Sequence, residues 1–270
     1  VGLPLTLSAN RASASSVLLA AALLLAACAQ PAPVEFEEPD PADVLYARGL
    51  EILKGERWLW VYKRVDYDAA IATFQTIIDN YPYSDFAVLA ELRIADAYFE
   101  DERYEEALSY YRDFGDLHPQ HEKVPYTIYR AALCHERRVK LPNRDQTATR
   151  EALVYLDRLL AEHPYSEYTR EAEETWRRLR RRLARQVMDI GDFYRFRAEY
   201  EAAAERYRSL LSEYPGLGLD AEALFKLGLS YEAMNRREEA ERLFQAVLQN
   251  YRSTDEALAA EARLRARKDG

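Results

Sequence analysis

Two cysteines in 270 residues are too few for the disulfide framework that holds small secreted domains together. Nine glycines are too few for collagen-like or many-turned β architectures, and a chain with 49% hydrophobic and 31% charged residues is not disordered either. The apolar run Val17 to Ala27 has 11 residues, about half of the ~20 that cross a bilayer as a helix. Positive charge is in the minority: the formal net charge is −9, an average that repels a phosphate backbone, so no nucleic-acid partner is expected. No G-x-S-x-G elbow, Walker loop or H-E-x-x-H helix occurs. What is present is a helix-favouring composition, 20 tyrosines, and length for one elongated domain or two compact ones.

Arg11 is the one charge ahead of the apolar run, and the start of the chain reads as a secretory signal. Leu25-Ala26-Ala27-Cys28 resembles the bacterial lipobox, in which cleavage before the cysteine requires small residues and the thiol accepts a diacylglycerol. The expectation is a covalent lipid on Cys28 and no other cofactor. Ala29 in place of Asp implies an outer-membrane, periplasm-facing anchor. Each buried methylene contributes ~0.8 kcal/mol, so a multiply acylated cysteine holds firmly to the inner leaflet. Pro31, Pro33, Pro39 and Pro41, with Glu35, Glu37, Glu38 and Asp40 between them, form a tether that extends rather than packs.

The rest of the chain repeats. An alanine is followed four residues on by a bulky side chain and 12 on by proline at Ala70/Phe74/Pro82, Ala107/Tyr111/Pro119, Ala152/Leu156/Pro164 and Ala203/Tyr207/Pro215; a fifth copy has Ala240 and Phe244 but Arg252. Tyr81, His118, His163, Tyr214 and Tyr251 precede the proline positions. Upstream of each alanine stands a small residue, Gly49, Ala95, Ala132, Gly191 or Gly228, 12 residues away in copies two, four and five. The first and third copies carry insertions of nine and eight residues there, and 14 residues are added ahead of Gly191. This pattern resembles the tetratricopeptide repeat, a helix-turn-helix of about 34 residues whose small residues let paired helices approach closely. It predicts an all-α superhelical solenoid of about five hairpins. An unbroken three-and-four spacing through Tyr168, Ala172, Trp176, Leu179, Leu183, Val187, Ile190 and Tyr194 predicts one continuous helix over 167–197, about 45 Å long. The organisation read from sequence is a signal peptide 1–27, a tether 28–41, repeats one to three over 42–166, and the long helix with repeats four and five over 167–270.

Candidate chemistry is sparse. His118, His121 and Glu122 have ligand-like spacing, but His118 occupies the slot filled by Tyr81 and Tyr214, so packing accounts for it and no metal is expected. Cys134 and His135 are adjacent and point about 100° apart on a helix, which favours a buried free thiol over a nucleophile and base. Arg178, Arg181, Arg182 and Arg185 share a helical face flanked by Arg177 and Arg180. A solvated face in which Glu173–Arg177 and Glu174–Arg178 form i,i+4 pairs leaves four of the six arginines without such partners, so Arg178, Arg181, Arg182 and Arg185 are read as a docking face for an acidic protein partner. The Trp58-Leu59-Trp60-Val61-Tyr62 run either extends the first helical hairpin and packs on it or, through Trp58, Trp60 and Tyr62, forms a patch for substrate or the membrane interface.

The combination of lipobox, five repeats and long fourth-repeat helix resembles the BamD family, ComL/YfiO-like tetratricopeptide lipoproteins of outer-membrane protein assembly. Three segments carry it further: His118-Pro119 with His121, Tyr126 and Tyr129; Arg144-Asp145 in the third hairpin; and Phe193-Tyr194 with Tyr200, Ala203, Arg206 and Tyr214-Pro215. Ala132, where the family often has Gly, and the stretch Glu56 to Arg64 depart from its pattern. The resemblance implies a scaffold rather than an enzyme. Its implied partners are the periplasmic domains of a BamA-like Omp85-type insertase, through Arg206, Arg144 and Asp145, unfolded outer-membrane proteins on the N-terminal repeats, and other Bam lipoproteins. Two other readings stay open at this point: a pilus-assembly pilotin lipoprotein, and a periplasmic enzyme or peptidoglycan-active factor scaffolded on the repeats.

Overall fold

The computed structural model describes Gly2, residues 39–58 and residues 62–268. Cys28, the leader, the tether up to residue 38 and Trp60 lie outside the described residues, as do the side chains of Trp58 and Tyr62. Residues 41–270 form one compact unit.

Eleven helices occur among the described residues, and ten of them pair into five hairpins. These are α1 (Ala42–Lys54) with α2 (Tyr67–Asn80), α3 (Asp85–Glu100) with α4 (Tyr104–Leu117), α5 (Val124–Arg137) with α6 (Thr147–Glu162), α7 (Thr169–Phe196) with α8 (Tyr200–Glu213), and α9 (Asp220–Ala233) with α10 (Arg237–Asn250). A last helix, α11 (Asp255–Lys268), caps the stack. The fold is the expected tetratricopeptide-type solenoid.

The repeat residues hold it together. Ala70, Ala107, Ala152, Ala203 and Ala240 are fully buried, as are Phe74, Leu156, Tyr207 and Phe244, with Tyr111 nearly so. A Cβ added to Gly49, Gly191 or Gly228 would stand 2.5–2.6 Å from the ring of Phe74, Tyr207 or Phe244, so the small residue of each first helix is the seat of the bulky residue of the second. Tyr81, His118, His163, Tyr214 and Tyr251 are the C-caps of the second helices. Tyr251 has φ −132° and ψ 43°, matching Tyr214 at −131° and 46°, although Arg252 replaces proline after it. Tertiary packing therefore ends α10 without the restriction that proline places on its predecessor.

The hairpins with 12-residue spacing turn through one residue of positive φ: Glu102, Ala198 and Asn235, at 60–61°. The two with insertions do not. In the third, a loop over 138–146 is tied by buried Gln146, whose Nε2 donates to the carbonyls of Leu141 and Arg144. In the first, the expected helical extension is replaced by an antiparallel ribbon of β1 (Glu56–Trp58) and β2 (Tyr62–Arg64), paired Glu56 to Arg64 and Trp58 to Tyr62. Two local causes favour the ribbon. Gly55 ends α1 at φ 67°, where an added Cβ would meet the Arg64 carbonyl at 2.7 Å, and Trp, Val and Tyr are strand-favouring residues.

The long helix is observed as Thr169–Phe196, 28 residues against the expected 167–197. Its first half packs on the preceding repeat: Ala172, Leu179 and Leu183 share a core cluster with Val124 and Ile128 of α5 and with Ala152, Leu156 and Leu159 of α6.

Candidate functional site: a tyrosine-lined cleft across the first helices

The first helices of four successive repeats surround one cleft of about 270 Å³, lined by Tyr46 from α1, Leu89, Leu92, Arg93 and Asp96 from α3, Lys123 and Tyr126 at α5, and Tyr168 just ahead of α7. Asp96 organises it. Its Oδ1 accepts from Tyr126 Oη at 2.5 Å and from Tyr111 Oη at 2.7 Å, and its Oδ2 lies 3.5 Å from the Arg93 guanidinium. Arg93 Nε donates to Tyr46 Oη at 3.0 Å. Behind the cleft, Arg130 Nε donates to Tyr111 Oη at 3.0 Å while its guanidinium stands 3.8 Å from the Phe99 ring centroid.

Burial, with Asp96 second, raises the pKa of Tyr111 and Tyr126 well above the phenol value, so both hydroxyls stay protonated as donors. Burial would lower the pKa of Arg130; the two tyrosines and Asp96 more than offset it. The Tyr168 ring lies 5.5 Å from Tyr126 and 5.8 Å from Tyr129, and burial with neighbouring Glu167 pushes its phenol up to about 12. The inserted turns of α7 thus bring a tyrosine of repeat four to a cleft built by repeats one to three. Aromatic walls with Arg93, Lys123 and one carboxylate suit an extended polypeptide bearing an aromatic side chain and a negative charge.

Repeats four and five carry the same device at the same register. Asp192, like Asp96, follows the small anchor residue and accepts from a buried tyrosine, Tyr207 Oη, at 2.7 Å. Lys226, two residues before its anchor as Arg130 is, lies 2.6 Å from Asp192. In the place of Tyr126 stands Glu222, 2.7 Å from Lys226 and 3.1 Å from Arg185. Charge pairs fill the space that aromatic rings line in the first half.

The residues singled out from sequence are spread over several surfaces. Arg178 turns away from the expected i,i+4 pairing to reach Glu136 of α5 at 2.5 Å. Arg180 donates to the Glu213 carbonyl and lies over the rings of Trp176 and Tyr214 at 5.1 and 4.8 Å, so both of these arginines, with Arg185, tie α7 to its neighbours. Arg181 is exposed and Arg182 half-buried on the same helix. Arg144 and Asp145 are exposed in the third hairpin, where Asp145 accepts from the Thr147 hydroxyl and N–H at 2.8 and 3.1 Å; these bonds hold its carboxyl below the usual range just ahead of α6. Arg206 is exposed on α8 and makes no ion pair among the described residues.

His118 Nε2 lies 2.9 Å from Glu91 Oε2, and His121 Nδ1 accepts from the Lys123 N–H; no group of three metal-ligating side chains occurs among the described residues. Cys134 is a buried free thiol that burial pushes up to about 12, which leaves it protonated and unreactive.

Sequence reading missed Tyr46, Arg93, Asp96 and Lys123. One signal was available: the pair of small anchor and aspartate occurs twice, at Ala95-Asp96 and Gly191-Asp192.

Fold and cleft together define a tetratricopeptide-type helical-repeat protein with an open cleft on its first-helix face. The family profile described as "Outer membrane lipoprotein", YfiO, matches residues 59–248. The chain belongs to this family, the BamD family of the curated relatives. One relative, the outer membrane protein assembly factor BamD of Caulobacter vibrioides, is 29% identical over 230 residues, 84% of this chain and 72% of its own. The BamD of Vibrio cholerae is 27% identical over 233 residues, 80% of this chain and 91% of its own. Among solved structures, the TPR2AB domain of yeast Sti1 aligns over 82% of each chain at 16% identity with a TM-score of 0.44.

Proposed function

We propose that this chain is a lipid-anchored outer membrane protein assembly factor that receives unfolded outer-membrane polypeptides and hands them to an insertase. Its family and the naming of its relatives support the assembly role. The observation that carries the receiving step is the cleft between Tyr46, Arg93, Tyr126 and Tyr168, which joins three tyrosines to two basic groups on the first-helix face. In this reading Trp58, Trp60 and Tyr62 also contact the substrate. A lipid on Cys28 keeps the scaffold at the inner leaflet of the outer membrane.

The insertase contact belongs to the exposed arginines. Arg206 stands free on α8 to meet a partner carboxylate, with Arg181, Arg182 and the Arg144-Asp145 loop as its neighbours in function; Arg178 and Arg185 add to the positive field while holding intramolecular pairs. Affinity capture of the lipidated protein from detergent-solubilised outer membranes tests the reading. An Omp85-type insertase should co-purify, and Arg206→Glu should reduce its yield with melting unchanged. Recovery of pilus components in its place would assign the chain to another assembly.

A further inference from the structure

The stacking face of every first helix occupies three register positions: five before the anchor, one before it and two after. In repeat two these are Ala90, Ile94 and Ala97; in repeat three Thr127, Ala131 and Cys134; in repeat five Ala223, Leu227 and Ser230. All nine are 4% exposed or less, covered by the second helix of the repeat before. In repeat four the same positions are Gln186, Ile190 and Phe193. There Ile190 is 38% exposed and Phe193 54%, and Phe196, one turn beyond, is 89% exposed. At the start of the stack the last two positions hold Arg48 and Glu51, the polar outer face of a terminal repeat. Repeat four has instead a largely apolar face, Ile190, Phe193 and Phe196, that no described helix covers.

The 14-residue insertion explains this. Fourteen residues fall about 40° short of four helical turns, so α7 carries its stacking face twice, about 21 Å apart. The earlier copy, Ala172, Trp176 and Leu179, is the one that α6 uses: Ala172 and Leu179 lie in the cluster with Ala152, Leu156 and Leu159. The later copy continues the same interface along the same helix. It lies far from the Asp96 cleft in register and does not depend on what that cleft binds.

We propose that Gln186, Ile190, Phe193 and Phe196 form a docking face for an amphipathic α-helix of a partner protein, about three turns long. That helix stacks as this chain's own second helices do. Those helices define its chemistry: an alanine with bulky apolar residues four and seven positions on, as in Ala70-Phe74-Ile77, Ala152-Leu156-Leu159 and Ala240-Phe244-Val247, all fully buried. The lower side of the face is bordered by Arg197, which holds Glu199 at 3.0 Å and whose guanidinium lies over the Phe193 ring at 5.7 Å, leaving its remaining N–H groups for a carboxylate at the end of such a helix.

The test uses the full chain and, as probe, a fluorescent peptide of residues 147–162, cross-linked on its solvent side to keep it helical. Saturable binding to the wild type is expected, weakened about tenfold or more by Phe193→Asp and by Ile190→Asp, and abolished when the probe carries Leu156→Asp. Leu258→Asp, at another exposed apolar position, should leave binding unchanged. Because Phe193 is half-exposed, its variants should melt as the wild type does; Phe193→Ser serves if the aspartate variant does not fold. No binding at millimolar probe, or binding indifferent to Phe193 and Ile190, would overturn the proposal. Sedimentation of the chain alone is the second arm: a dimer that Phe193→Asp dissolves would mean that this face takes a second copy, and would overturn it too.

Discussion

Asp96 and Asp192 hold the same place in the repeat, each accepting from a fully or nearly buried tyrosine at 2.7 Å, yet their surroundings diverge. Around Asp96 the side chains that complete the site are Tyr46, Tyr126 and Tyr168, and an open cleft results. Around Asp192 they are Glu222, Lys226 and Arg185, and the space closes on itself through ion pairs. One repeat device lines an open cleft in the first half and braces the stack internally in the second. The change from Tyr126 to Glu222 at one register position accounts for much of the difference.

The largest effect expected from this comparison separates the two aspartates. Asp96→Ala leaves the Tyr111 and Tyr126 hydroxyls without their shared acceptor, Tyr111 being almost fully buried, and should cost about 3 kcal/mol in urea unfolding. Asp192→Ala leaves Lys226 paired with Glu222 and should cost about 1 kcal/mol. Equal losses would break the comparison.

Next come the anchors. Ala95 already accommodates a Cβ opposite Tyr111, whereas a Cβ on Gly191 would come within 2.6 Å of the Tyr207 ring. Gly191→Ala should destabilise by about 1–3 kcal/mol through overpacking, and Ala95→Gly by about 1 kcal/mol through helix propensity alone.

The third prediction concerns acid. All four histidines lie at or before residue 163, so a histidine-dependent loss of stability belongs to the first half. His135 is buried against Tyr155, and burial lowers its pKa below the ordinary 6.5, with Glu151 at 3.0 Å opposing and Arg138 assisting. The folded state thus favours the neutral ring: its contribution is complete above about pH 6.5 and is lost as pH falls through the lower folded-state value. Unfolding free energy should drop between pH 7 and 5, and His135→Gln should flatten that slope. The smallest expected effect is a gain. Ala198 turns at φ 61°, so Ala198→Gly should stabilise by about 0.5 kcal/mol in thermal melts, the relief of the left-handed backbone slightly exceeding the entropy of an added glycine.

Much of this architecture was legible in the sequence because it is periodic. The alanine and small-residue anchors report which faces touch, and the unbroken spacing from Tyr168 to Tyr194 placed the long helix within two residues of its observed ends. Periodicity says which face is buried but not what a side chain reaches across the stack. Tyr46 and Tyr168 meet in one cleft 122 residues apart, and Arg178 finds Glu136 rather than Glu174, because solenoid curvature sets those encounters. The ribbon was missed for another reason: Trp58 to Tyr62 lies in an insertion where the repeat gives no register, and the positive φ of Gly55 decides that the helix stops.

The central claim of the proposed function is that the Asp96 cleft receives unfolded outer-membrane polypeptide and the ion-paired Asp192 site does not. Fluorescence anisotropy of a labelled strand peptide from an outer-membrane protein, ending in an aromatic residue, tests it with two variants. Tyr168→Ala, which removes one wall of the cleft without touching the Asp96 hydrogen bonds, should weaken binding about tenfold, and Lys226→Ala should leave it unchanged. Binding that ignores Tyr168→Ala, or that falls with Lys226→Ala, would contradict the account.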